Sequence, residues 1–180
     1  MEAPLYLLLA AAILVLLYVT IPALYGSPWW PAPVKKVVRL LGEAGLKEGE
    51  TLIDLGCGDA RILIEAVRKF GAIGIGVEID PFKAAIARFF VRRAGLAEKI
   101  KIVRSSAADY PLHEADVVFL YLSHQLIDKL KPKFEKELGD GARIVSYGFM
   151  VQGFPLVKTD AGKKAFIYKM SLGKNVNRYT

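Results

Sequence analysis

Between Thr51 and Tyr147, short apolar runs rich in β-branched residues alternate with amphipathic helical patterns, and that alternation leaves few folds open. Thr51 to Leu55, Ile73 to Val77, Ile100 to Val103, Val117 to Tyr121 and Ala142 to Tyr147 read as buried strands. Arg61 to Phe70, Pro81 to Ala94 and Leu126 to Leu138 read as the helices between them, the second with proline in its first turn. A preceding helix is marked by Val34, Val37, Val38 and Leu41 at three-to-four spacing and closes near Gly42 and Gly45. Val151 to Val157 and Ala165 to Met170 read as a closing hairpin. Strand–helix–strand crossovers are right-handed, so the expected fold is α/β: a Rossmann-like, mostly parallel seven-stranded sheet with a C-terminal antiparallel hairpin. Such sheets bind ligands at the carboxyl ends of their strands, near the switch in strand order.

Ahead of this pattern no side chain from Ala3 to Val34 is charged, and Pro4 to Leu24 is nearly continuous Leu, Ala, Ile, Val and Tyr. About 20 such residues cross a bilayer, so residues 4–25 are expected to form one N-terminal transmembrane helix. A cleaved signal peptide would want a positive n-region, and the only early side-chain charge is Glu2. A buried soluble helix is the other competitor, but an all-round apolar helix is hard for a small domain to cover. Tyr6, Tyr18, Tyr25, Trp29 and Trp30 lie near the ends of the run, as interfacial aromatics do. Lys35, Lys36 and Arg39 against Glu2 place the following domain in the cytoplasm. The expected organisation is an anchor (4–25), a Pro/Trp-rich segment (26–33), one α/β domain (34–172) and a polar tail (173–180).

The formal net charge of +7 belongs to the part beyond the apolar run. A basic balance serves solubility, an anionic membrane surface or nucleic acid. Position favours the membrane, and no aromatic–basic RNA-binding signature supports the last. Cys57 is the only cysteine, which excludes an internal disulfide and a multi-cysteine zinc site; it reads as a small buried residue. His113 and His124 lack metal-ligand spacing, so no metal is expected.

The strongest local signal is Leu52-Ile-Asp-Leu-Gly56-Cys-Gly58-Asp-Ala-Arg61, where the first strand gives way to the first helix of the alternation. Glycines at 56 and 58 let backbone pass close to a ligand. The dinucleotide fingerprint G-x-G-x-x-G would need glycine where Arg61 stands, and no G-x-x-x-x-G-K-[ST] loop is present. A nicotinamide, flavin or P-loop nucleotide is therefore disfavoured. Gly74-Ile-Gly76-Val-Glu78-Ile-Asp80-Pro81 then puts an acid at the end of the second strand, about twenty residues past the glycines, where it can accept both ribose hydroxyls of an adenosine ligand.

At these residues the sequence resembles the class I, seven-strand methyltransferases that bind S-adenosylmethionine, whose first motif reads acid-x-G-x-G and whose second strand ends in an acid. The resemblance covers about Val34 to Met170. It implies that Gly56 and Gly58 line the methionine part, that Asp54 and Asp59 support its ammonium directly or through water, and that Glu78 holds the ribose. Ile79 would pack on adenine, with Ser106 and Ala107 at its edge. A narrower resemblance, to archaeal protein-lysine methyltransferases and membrane-anchored mitochondrial lysine methyltransferases, rests on Pro28-Trp-Trp-Pro31-Ala-Pro33, on Leu130-Lys-Pro-Lys-Phe-Glu-Lys-Glu-Leu138 and on Gly141-Ala-Arg-Ile-Val-Ser146. Two positions depart from it. Ala32 stands where a hydroxyl residue is usual, and Ala60 replaces the glycine of Gly-Asp-Gly-Arg.

Methyl transfer from a sulfonium is an in-line attack on an activated donor, so positioning supplies much of the catalysis. An acceptor lysine must lose its proton, which a partly apolar channel favours. Trp29, Trp30 and Tyr121 are candidates for its walls, and Ser146 or Tyr147 for a hydrogen bond from the amine. The stretch Phe119-Leu-Tyr-Leu-Ser-His124 lacks the Asn/Asp-Pro-Pro-aromatic loop associated with methylation of a nucleobase amine. The leading expectation is a membrane-tethered protein-lysine methyltransferase acting on membrane-associated protein. A methyltransferase of a small or lipid-soluble molecule, and a non-catalytic S-adenosylmethionine-binding module, are the alternatives.

Overall fold

The computed structural model describes residues 4–10, 12–13, 16, 32–160, 162 and 164–171. The chain divides at residues 31 and 32 into two compact units. Of the first, residues 4–10, 12–13 and 16 are helical, and Leu5, Leu7, Leu8 and Leu9 are exposed. No helix among the described residues is long and apolar enough to cross a membrane. The whole of the expected anchor beyond residue 16, the segment to residue 31 with Trp29 and Trp30, and the tail from residue 172 lie outside the described residues.

The second unit is a seven-stranded sheet in the order β3-β2-β1-β4-β5-β7-β6. Its strands are β1 (Thr51–Leu55), β2 (Ile73–Glu78), β3 (Ile100–Arg104), β4 (Val117–Leu120), β5 (Arg143–Tyr147), β6 (Leu156–Thr159) and β7 (Ala165–Lys169). The first five run parallel, and β7 inserts antiparallel between β5 and β6. Helices α1 (Val34–Glu43), α2 (Arg61–Phe70), α3 (Pro81–Arg93) and α4 (His124–Glu137) complete the fold. The order reverses between β1 and β4, which places the expected ligand crevice at the carboxyl end of β1.

Period-two alternation explains the two-faced core. Leu52 and Phe119 join Leu41 of α1, Leu63 of α2 and Val91 of α3 in one apolar cluster. Ile53, Leu55 and Leu120 face the other way, joining Ile127, Leu130 and Phe134 of α4. Cys57 is buried in the first cluster as a small apolar residue.

The closing hairpin is shorter than its apolar pattern. Strand β6 begins only at Leu156, because Gly153 at φ +90° and Pro155 turn the chain away from extended structure. The Val151 N–H donates to the Tyr168 hydroxyl at 2.9 Å instead of to a neighbouring strand. Helix α4 starts two residues before the expected Leu126, since Ser123 caps it by accepting from the Leu126 N–H.

Candidate active site

The carboxyl ends of β1 and β2 are stitched together by backbone. The Gly56 and Cys57 N–H groups both donate to the Val77 carbonyl, at 2.8 and 3.1 Å, so the chain folds back over β2 as it leaves β1. Gly56 sits at φ +82°, and a Cβ there would stand 3.0 Å from Leu122 Cδ2, from the loop after β4. Gly76, beside Asp54 in the ladder, has no room for a Cβ either: Cys57 Sγ would lie at 2.7 Å.

Glu78 is 7% exposed and organises this turn. Its Oε2 accepts from the Gly58 N–H and its Oε1 from the Asp80 N–H, both at 3.0 Å. The acid expected to hold a ribose therefore also fixes the glycine loop to the start of α3. Asp80 caps that helix by accepting from the Phe82 and Lys83 N–H groups, with Pro81 in its first turn.

Asp54 is 2% exposed, and no hydrogen bond or ion pair contributes to its protonation balance, while no described side-chain oxygen is both fully sealed from solvent and unpartnered. Burial pushes its pKa up to about 8, and the charges of Glu78 and Asp59 add to the rise. A buried acid left so costly to ionise is the counterpart of a cationic ligand group, since a positive charge beside it would restore the carboxylate.

Asp59 behaves differently. Burial alone would raise its pKa, but hydrogen bonds and charge from Arg61 outweigh that and hold it below the usual carboxylate range. Arg61 Nε lies 2.8 and 2.9 Å from its two oxygens, and the Arg61 Nη2 contact is closer still. The carboxylate that the resemblance assigns to an ammonium is thus already engaged by a guanidinium. It lines a cleft of about 520 Å³ with Val34, Arg61, Ile64, Phe90 and Arg93, between α1, α2 and α3.

Ala60 occupies the left-handed region at φ +64°, ψ +13°, as the N-cap of α2. It is the only described non-glycine residue with positive φ. The replacement of glycine is visible in the sequence, but not the strain it leaves behind. Beyond β2, Ile79 is 67% exposed. Ser106 accepts from the Ala108 N–H at 3.1 Å and, with the partly buried Ala107, forms the turn after β3.

At the carboxyl ends of β4 and β5, Tyr121 and Tyr147 meet edge-to-face with ring centroids 5.3 Å apart. Lys36 Nζ lies 5.3 Å from the Tyr147 centroid and pairs with Asp160 at 2.8 Å. This clasp joins α1 to the β6–β7 loop, and no sequence signal points to it. Ser146 is fully buried and its hydroxyl donates to the Phe149 carbonyl at 2.6 Å. That proton shapes the loop after β5 and is not presented at the surface.

Sequence comparison fits this geometry. A profile of the ANTKMT methyltransferase domain matches residues 54–158, from the buried acid of β1 into β6. A protein-lysine N-methyltransferase of Saccharolobus islandicus is 35% identical over 130 residues, 71% of this chain and 80% of that protein. The adenine nucleotide translocase lysine N-methyltransferase of Mus musculus is 28% identical over 129 residues, 72% of this chain and 56% of its own length, so the match spans little more than half of that relative. A crystal structure of an RNA methyltransferase from Salinibacter ruber in complex with S-adenosyl-L-homocysteine superposes with a TM-score of 0.78 at 32% identity, covering 82% of this chain and 98% of that one.

Proposed function

Because the chain belongs to the ANTKMT methyltransferase-domain family and is an S-adenosylmethionine-dependent methyltransferase, we propose that its acceptor is a protein lysine and that residues 4–25 tether it to a membrane beside that acceptor. The observation that carries the reading is Asp54, an almost fully buried carboxyl whose pKa burial pushes up to about 8, next to a glycine loop pinned by Glu78. In the proposed arrangement Asp54 faces the methionyl ammonium, directly or through water, and Gly56 and Gly58 let backbone approach the methionine. Glu78 takes the ribose hydroxyls, Ile79 covers adenine, and Ser106 and Ala107 bound its edge. Asp59 contributes through Arg61, holding the start of α2 in place.

The bound sulfonium supplies an activated methyl group, so the protein's own task is to align and deprotonate the amine. The lysine ammonium would first give up one proton to solvent, the N–CH3 bond would form as the S–CH3 bond breaks, and the donor would leave as a neutral thioether. Tyr121 and Tyr147 are proposed to wall the amine's approach. Burial, with the neighbouring Tyr147 adding to it, raises the Tyr121 pKa, so that phenol stays neutral and does not act as a base at neutral pH. Lys36 Nζ lies 5.3 Å from the Tyr147 centroid, so one face of that ring is already taken by an amine of the protein itself. Trp29 and Trp30 are proposed to complete the channel.

Support for the lysine acceptor is the 35% identity to a protein-lysine N-methyltransferase; support for the tether is the uncharged run from Ala3 to Val34. Labelled S-adenosylmethionine incubated with the protein and a membrane extract is expected to label lysine side chains of protein. Glu78→Ala is expected to abolish that labelling. Label in lipid or in RNA would overturn the lysine assignment, and full-length protein that fractionates as soluble without detergent would overturn the tether. Replacing Trp29 and Trp30 by alanine in detergent is expected to cut lysine transfer while cofactor affinity holds; normal transfer would remove them from the channel.

A further inference from the structure

Charge is distributed unevenly over the α/β unit. Residues 81–104, which form α3, the turn after it and β3, carry seven basic side chains and one acidic one. That is a net +6 of the chain's formal +7. Over the same stretch α3 shows solvent a row of large apolar side chains. Ile86, Phe89 and Phe90 are 47%, 59% and 41% exposed, and the Phe89 and Phe90 rings meet at 5.6 Å. Their spacing puts them along one side of the helix. Arg92 and Arg93 are exposed beside them, and Lys99, Lys101 and Arg104 are exposed on and near the edge strand β3.

We propose that this face of α3 and β3 is a second membrane contact, which docks the domain side-on against an anionic bilayer. The apolar row would enter the boundary between headgroups and acyl chains, and the flanking Arg and Lys side chains would lie at the phosphates. Charge complementarity selects this occupant: each basic residue near an anionic leaflet favours contact by an increment that adds along the surface. The row itself selects lipid over nucleic acid. Residues 81–104 contain no Ser, Thr, Asn, Gln, His, Tyr or Trp, so they offer no side-chain amide, hydroxyl or imidazole to read a base. The contact concerns α3 and β3 and not residues 4–25, and it does not depend on the identity of the methyl acceptor. Its consequence is orientation: α3 begins immediately after Ile79 and Asp80, so docking along this helix would hold the mouth of the cofactor site at a fixed distance from the leaflet.

The test uses the full chain reconstituted into vesicles, with a spin label on Ile86→Cys; the native Cys57 is buried. On vesicles containing phosphatidylserine, the label is expected to become at least several-fold less accessible to a water-soluble relaxation agent than on phosphatidylcholine vesicles. High salt should reverse the change. Arg92→Glu with Lys101→Glu should abolish the difference while S-adenosylmethionine affinity in detergent is unchanged, which separates lost docking from lost folding. Equal accessibility on both vesicles would overturn the proposal. So would protection already present in detergent, which would mean that protein covers the row, or protection produced by single-stranded RNA in place of anionic lipid.

Discussion

The two halves of the sheet treat their buried polar groups in opposite ways. At β5 and β7, Ser146 closes on the Phe149 carbonyl, the Tyr168 hydroxyl accepts from Val151, and Lys36 joins Asp160 across the Tyr147 ring. At β1 and β2, burial and the like charges of Glu78 and Asp59 make the Asp54 carboxylate costly to ionise, and the single carboxylate of Glu78 organises two backbone segments. The first arrangement finishes a fold. The second leaves an electrostatic cost that folding alone does not recover, and a cationic ligand is what removes it. Binding chemistry is therefore expected to concentrate at β1–β2, with β4–β5 supplying shape for the second substrate.

The largest expected effect that would break this contrast is at Asp54. Its folded pKa of about 8 lies above the unfolded value, so between roughly pH 4 and pH 8 the folded protein holds a proton that the unfolded chain has released. Stability of the ligand-free protein should fall with rising pH across that window, and the penalty should be complete above it. Each pK unit corresponds to about 1.4 kcal/mol, so Asp54→Asn should stabilise the ligand-free protein at pH 8 by several kcal/mol on an order-of-magnitude basis. The same change should weaken S-adenosylmethionine binding by on the order of 100-fold, as loss of a buried charge partner does. Calorimetry at pH 7 in buffers of different ionisation enthalpy should show wild-type binding releasing a proton. Binding without proton release would place the cation elsewhere.

Glu78→Ala comes next. A charged hydrogen-bond acceptor is worth about 1.5–3 kcal/mol, so affinity should drop roughly 10- to 150-fold. The glycine loop should also loosen, because the Gly58 and Asp80 N–H groups lose their shared partner. Hydrogen exchange at those two amides reports the loosening directly. Slow exchange in the variant, with affinity unchanged, would mean that Glu78 neither binds ligand nor holds the loop.

Much of this is legible in the sequence, and the exceptions have physical causes. The boundaries of β1 and α2 follow the expected ones because apolar periodicity and the glycine pair are local signals. The apolar pattern starts β6 too early, since Val151 and Phe154 are apolar for burial and not for pairing, and Gly153 sets the backbone. Asp54 and Glu78 stand out by type and position. The commitment of Asp59 to Arg61 does not, because residues two apart in sequence meet only through the particular turn that opens α2. The clasp of Lys36 with Asp160 and Tyr147 joins residues far apart in the chain, which no spacing rule can bring together.

Across the switch in strand order the contrast sharpens with the tyrosines. Tyr121→Ala and Tyr147→Ala each remove one half of an aromatic pair worth about 0.5–1.5 kcal/mol beyond simple burial, so modest destabilisation is expected. Cofactor affinity should be unchanged, because neither residue belongs to the β1–β2 turn. Turnover on a protein acceptor should fall by about tenfold or more if these rings align the amine, which is the size of effect that a slightly misplaced acceptor produces. Steady-state kinetics beside equilibrium binding separates the β1–β2 site from the β4–β5 tyrosines. A large loss of affinity with normal turnover would erase the proposed division of labour.

The smallest effect concerns Ala60, where the binding half of the sheet carries strain in its backbone as well as in its charges. A left-handed conformation costs an ordinary residue roughly 1–2 kcal/mol, and glycine escapes that cost. Against this, Ala60→Gly frees the unfolded chain and removes a fully buried methyl, which together oppose the gain by about 1 kcal/mol or somewhat more. The two sides nearly cancel if the methyl is well packed, and the backbone term dominates if the N-cap position of α2 is strained as its φ of +64° indicates. The expected outcome is a rise in melting temperature corresponding to about 0.5 kcal/mol, with S-adenosylmethionine affinity held within about twofold because Gly56, Gly58 and Glu78 keep their geometry. Thermal unfolding with and without cofactor measures both. A lower melting temperature would show that the Ala60 methyl supports α2 more than its backbone strains it, and that the glycine loop owes part of its shape to that packing.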